Sequence, residues 1–135
     1  MTGGRLKAPL VRRLLALGLF PFLLHACAPT YRVPAGEASF LQASVPVRVE
    51  NDHANAVLIS AEARNVRLRL GVVGPGERAS LVLPGGRMPA GAVRFRVQGE
   101  GSLTSYLSPP LQVRDDSMIH VQAAPNLDRS RVWLE

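Results

Sequence analysis

From Val45 onward, apolar and polar residues alternate with a period of two, and turn residues interrupt the pattern about every ten positions. Such a pattern buries one face of a strand and leaves the other in water. Val45, Val47 and Val49 alternate with Pro46, Arg48 and Glu50. Val66, Leu68, Leu70 and Val72 alternate with Arg67 and Arg69, and Ala79, Leu81 and Leu83 follow. Val93, Phe95 and Val97 alternate with Arg94 and Arg96, and Ile119 and Val121 with Met118, His120 and Gln122. Residues 56–61 are more continuously apolar, as in a strand central to its sheet. The punctuation lies at residues 51–55, Gly74-Pro75-Gly76, Pro84-Gly85-Gly86 and Arg114-Asp115-Asp116. Pro109-Pro110 splits residues 103–107 from 111–113 and cannot donate into a ladder, which marks an edge or a crossover. Residues 131–135 supply the last strand.

No apolar pattern of 3.6-residue spacing runs for the ten or more residues that a helix needs. The expected fold is therefore all-β. About seven to nine short strands with this turn spacing fit a single immunoglobulin-like or transthyretin-like β-sandwich over residues 44–135. The full 135 residues are sized for one such domain.

Residues 1–26 are organised differently. Arg5, Lys7, Arg12 and Arg13 occur there with no acid, residues 14–24 are apolar around Pro21, and Ala26 stands before Cys27. This is the three-part order of an export signal. Its apolar stretch would make roughly 16 Å of helix, about half of a bilayer's hydrocarbon core, so removal is expected rather than permanent spanning. Leu24-His25-Ala26-Cys27 resembles the lipobox of bacterial lipoproteins. That resemblance implies diacylglycerol on the Cys27 sulfur, cleavage before Cys27, and commonly a third acyl chain on the new amino terminus. Two or more chains give a stable membrane anchor. Residues 27–43 then read as a lipidated tether, on which Tyr31 and Phe40 are candidates to dock against the domain. Ala28, where inner-membrane retention would show Asp, implies the outer membrane, facing the periplasm. The other reading of the same residues is an ordinary cleaved secretory signal with Cys27 incidental.

The charge balance excludes one function class. The chain has 16 Lys plus Arg against 10 Asp plus Glu, but four of those cations precede Cys27, leaving 12 against 10 and a net of +2. Without a basic run after Arg13, no nucleic-acid partner is expected. The single cysteine excludes a disulfide framework and a cysteine-based zinc cluster. His53 and His120 with scattered carboxylates show no metal-ligand spacing, and neither a metal nor a cofactor is expected.

A hydrolase could be drawn from Asp52, His53, Asp115, Asp116, Ser117 and His120, yet no G-x-S-x-G elbow occurs. Asn and Asp are also what turns use to bond their own backbone, so no catalytic residue is assigned. Arginine is the most patterned polar feature: Arg48, Arg67, Arg69, Arg94 and Arg96 all fall on outward phases. If the strands bearing Arg67, Arg69, Arg94 and Arg96 share a sheet, those four form a face for an anionic ligand. The same positions are where any solvated sandwich carries charge.

Residues 45–84 further resemble small envelope lipoproteins with a β-sandwich body, a likeness that brings no activity with it. The expected function is a non-enzymatic, lipid-anchored structural or interaction module of the bacterial cell envelope. Its expected partners are the membrane through Cys27 and an envelope protein or glycan. The alternative is a ligand-binding accessory lipoprotein for carbohydrate or anionic lipid, with a hydrolase third.

Overall fold

The structure, a computed structural model, describes residues 39–135, all within one compact unit, Pro34–Glu135. The export signal, Cys27, Tyr31 and most of the tether lie outside the described residues. Among the described residues nine strands follow one another: β1 (Val45–Asn51), β2 (Val57–Ala63), β3 (Val66–Val73), β4 (Arg78–Leu83), β5 (Gly91–Gly99), β6 (Ser105–Leu107), β7 (Leu111–Val113), β8 (Ile119–Ala123) and β9 (Arg131–Leu134). A 3-10 turn, Leu127–Arg129, precedes β9.

The strands form two sheets, in the orders β4-β1-β8-β9 and β3-β2-β5-β6, with β7 also paired to β5. Every pairing is antiparallel except β1 with β8. Because β1 and β2 lie in different sheets, the order is not that of an immunoglobulin constant domain, whose first two strands share one. The architecture is a two-sheet, all-β sandwich, as the alternation predicts.

Alternation decides what each sheet buries. Val45, Val47, Val49, Ile119 and Val121 of the first sheet meet Val57, Ile59, Ala61, Val93, Phe95 and Val97 of the second in one continuous core. Phe95, without solvent exposure, is the largest of these fully buried side chains. The core runs from Leu41 to Val132, so the described residues share one hydrophobic core, as a domain able to fold alone requires. Leu41 is itself buried, with its N–H donating to the Met88 carbonyl at 3.1 Å, and Phe40 bridges to Pro89. The last residues of the tether segment are thus fastened to the domain.

Two local departures have physical causes. Between Ile59 and Ser60 the β2–β3 register jumps from Gly71 to Arg69, leaving Leu70 as an extra residue in a bulge. Beyond it the phase inverts, so Val73 is buried and Val72 is 40% exposed, contrary to the simple alternation. Gly71 fits there because a Cβ would lie 2.8 Å from the Leu81 side chain. In addition, Leu103 stands wholly in solvent outside β6, whose ladder begins only at Ser105.

The prolines sit where their missing donors do least harm. β6 and β7 lie along the same edge of β5, interrupted by Ser108, Pro109 and Pro110. Ser108 closes the gap: its N–H donates to the Phe95 carbonyl and its hydroxyl accepts from the Phe95 N–H, both at 2.9 Å.

Asn51 ends β1 with its side chain fully buried. Its Nδ2 donates to the carbonyls of Asn55, Val73 and Gly74 at 3.0, 3.0 and 2.9 Å, and its Oδ1 accepts from the His53 N–H at 2.9 Å. One amide thereby joins the β1–β2 turn to the end of β3. Replacing Asn51 by Ala should cost about 2 to 4 kcal/mol in urea denaturation, because buried carbonyls lose their donor. Asn51→Asp should be worst at neutral pH, where a carboxylate faces those carbonyls, and should recover partly as acid protonates it.

Candidate functional site

Arg67 and Arg69 project from β3, Arg94 and Arg96 from β5, and β2 lies between them. Glu62 of β2 pairs with both Arg67 and Arg94, while Ser60 pairs with both Arg69 and Arg96. The four arginines therefore occupy two consecutive cross-strand rows on the outer face of the second sheet. Strand spacing and rise place their Cα atoms at the corners of a patch about 10 by 7 Å.

Glu62 is the acid in this arrangement. Its Oε1 meets Arg67 Nε at 2.9 Å and Arg96 Nε at 2.8 Å. The Arg96 hydrogen bond, partly opposed by burial, holds the Glu62 carboxyl below its ordinary range, with Arg96 and Arg67 charges adding to the effect. Arg96 also donates to Ser105 Oγ at 3.1 Å, which fixes its guanidinium against the sheet. Arg69 and Arg94 are exposed and form no ion pair among the described residues. Arg67, Arg69, Arg94 and Arg96 against Glu62 leave 4 − 1 = +3 on the face.

Sequence reasoning did not single out two members of this site. Glu62 follows the apolar run of β2 on its polar phase, a signal that strand order alone turns into a central position. Arg64, in the β2–β3 turn with φ 51, lines a 300 Å³ cleft with Glu62, Arg94 and Pro110 and adds a further cation at the end of the face. Arg48, in contrast, stands on the outer face of the first sheet.

The Asp, His and Ser residues do not converge. Asp52 lies beyond the end of β1, where its N–H bonds Ala123 and its Oδ2 accepts from Gln122 Nε2 at 3.1 Å. His53 Nδ1 contacts the Pro125 carbonyl at 2.8 Å. Asp115 is at the other end of β8, its Oδ1 accepting from the N–H groups of Gln42 and Ala43 at 2.7 and 3.0 Å. Ser117 Oγ accepts from the Arg114 N–H at 3.0 Å. The length of β8 keeps the two turns about 15 Å apart, which parts Asp52 and His53 from Ser117, and the nearer His120 bonds Glu135 rather than Ser117. These side chains organise backbone. His120, on the polar phase of β8, is less open than an outward strand residue usually is. Trp133 stacks on it at 5.2 Å between centroids and Glu135 Oε2 meets its Nε2 at 2.8 Å.

Among the described residues there is no group of three or more His, Cys, Asp or Glu able to hold a metal ion, and no helix long and apolar enough to cross a membrane. Cys27, the expected lipidation site, lies outside the described residues. No family model, curated protein or solved structure matches the chain.

The Glu62 carboxyl is depressed in the folded state, so its stabilisation is present above the ordinary value of 4.5 and is lost as pH falls through the lower folded value. Glu62→Gln should cost about 1 kcal/mol at pH 7 by denaturant titration, and this difference from wild type should shrink in acid.

Proposed function

We propose that this chain is a non-enzymatic, lipid-anchored interaction module of the bacterial cell envelope, whose working surface is the arginine-bearing outer face of the second sheet. The anchor is diacylglycerol on Cys27, and the site of action is the outer membrane facing the periplasm. The observation that carries this reading is the contiguity of Arg67, Arg69, Arg94 and Arg96 across β3, β2 and β5, with Glu62 as the carboxylate shared by Arg67 and Arg96. Dispersal of the Asp, His and Ser residues over opposite ends of β8 weighs against hydrolysis.

An excess of three positive charges suits phosphate-bearing lipid headgroups. At about 1 kcal/mol per basic residue near an anionic surface, the face supplies about 3 kcal/mol, a millimolar-class affinity on its own. A tether that holds the domain near a membrane raises its effective concentration there and makes such weak contacts useful. Glu62 orders the guanidinium groups of Arg67 and Arg96 at the cost of one unit of the field.

Sedimentation of residues 34–135 with vesicles should show association with phosphatidylglycerol-containing bilayers and not with neutral ones. It should weaken from low to physiological salt as the screening length falls to about 8 Å. Glu62→Gln should strengthen it, and conversion of all four arginines to Gln should abolish it. Equal sedimentation with both vesicle types, or no loss in the fourfold variant, refutes the face. Mass spectrometry of the mature terminus decides the anchor: an acylated Cys27 is expected, and an unmodified thiol contradicts it.

A further inference from the structure

The outer face of the first sheet carries a different chemistry. Arg48 of β1, His120 of β8 and Trp133 of β9 form one cross-strand row. Trp133 is 44% exposed, and its indole lies nearly parallel to the His120 ring, 11° apart in plane. A 340 Å³ cleft opens on the Arg48 side of the indole, and a 450 Å³ cleft lined by Tyr106, Arg131 and Val132 opens on the other. Trp133 and Gln122 line both, so the two depressions meet at the tryptophan.

We propose that this trench is a binding site for an acidic saccharide, a pyranose chain bearing carboxylate or phosphate groups. A half-exposed indole in a strand presents a flat face whose negative quadrupole attracts the slightly positive C–H face of a sugar ring. His120 covers one face of the indole, so a sugar ring stacks on the other face, and the cleft on the Arg48 side gives room for the next ring. Gln122 offers donor and acceptor to ring hydroxyls, although its Nε2 also bonds Asp52.

The acidic class follows from the charges. Glu50 is committed to Arg78 at 2.6 Å and Glu135 to His120, whereas Arg48 and Arg131 have no carboxylate partner among the described residues. A guanidinium on each side of the aromatic platform matches anionic groups on consecutive sugars, which Arg can hold through paired hydrogen bonds. The site is on the opposite side of the sandwich from Arg67, Arg69, Arg94 and Arg96, and it does not depend on that face being functional.

Trp133 is the chain's only tryptophan, so its fluorescence reports this site directly. Titrating the full chain in detergent micelles with trigalacturonate should give a saturable change in emission, and maltotriose should bind at least about tenfold more weakly. Arg48→Gln and Arg131→Gln should each weaken trigalacturonate binding by about tenfold, the effect of losing one charge-assisted hydrogen bond, and leave maltotriose unaffected. Arg67→Gln with Arg94→Gln should change neither titration. A sugar phosphate that competes with trigalacturonate would identify the anion rather than the uronate as the recognised group. No saturable emission change, or equal affinity for the neutral and acidic trisaccharides, overturns the proposal. So does an equal loss in the Arg67 and Arg94 double variant. Thermal unfolding of each variant at the wild-type temperature secures the comparison against misfolding.

Discussion

Face-to-face packing of the two sheets is the interaction on which the rest of the molecule depends. Val47, Ile59, Phe95 and Val97 are fully buried between the layers, and Val49 and Val121 nearly so. Side chains alternate along a strand, so burying one set commits its neighbours to the outside, and a one-residue slip would exchange the two. The outward positions of Arg67, Arg69, Arg94 and Arg96 are therefore consequences of apolar burial at their neighbours. The core beneath fixes which way these side chains point, and Glu62 and Ser105 then hold the guanidinium groups of Arg67 and Arg96.

The same packing explains what was legible in the sequence. Strand existence and phase are local properties, and β1, β4, β5 and β8 follow the alternation of their residues closely. The arginine face was legible up to one condition, that β3 and β5 share a sheet. Strand order is not a local property. The pairing of β2 with both strands, which meets that condition and seats Glu62 among the arginines, leaves no mark on the alternation of any one of them.

Other features were hidden for related reasons. The bulge at Leu70 inserts one residue without breaking the apolar composition, so residues 66–73 look uniformly alternating although Val72 and Val73 exchange faces. Asn51 resembles any turn residue, yet it is buried because three carbonyls from two segments, Asn55 and Val73-Gly74, converge on it. Leu41 belongs to the core although it lies in a stretch without periodicity, its place set by the loop around Met88. In each case a partner distant in sequence decides the outcome.

A sandwich built this way has two outer surfaces that vary independently, since a substitution on one is insulated from the other by the core. Here one surface carries cations around a single acid, and the other an aromatic platform with guanidinium groups to either side. The most direct test of the arginine face as the working surface is to follow the arginine Nε–Hε resonances of residues 34–135 while adding micelles of a short-chain phosphatidylglycerol. The account predicts that the signals of Arg67, Arg69, Arg94 and Arg96 shift together and that those of Arg78 and Arg114 stay in place. Shifts of equal size at all of these arginines, or none beyond those caused by a zwitterionic micelle, would contradict it.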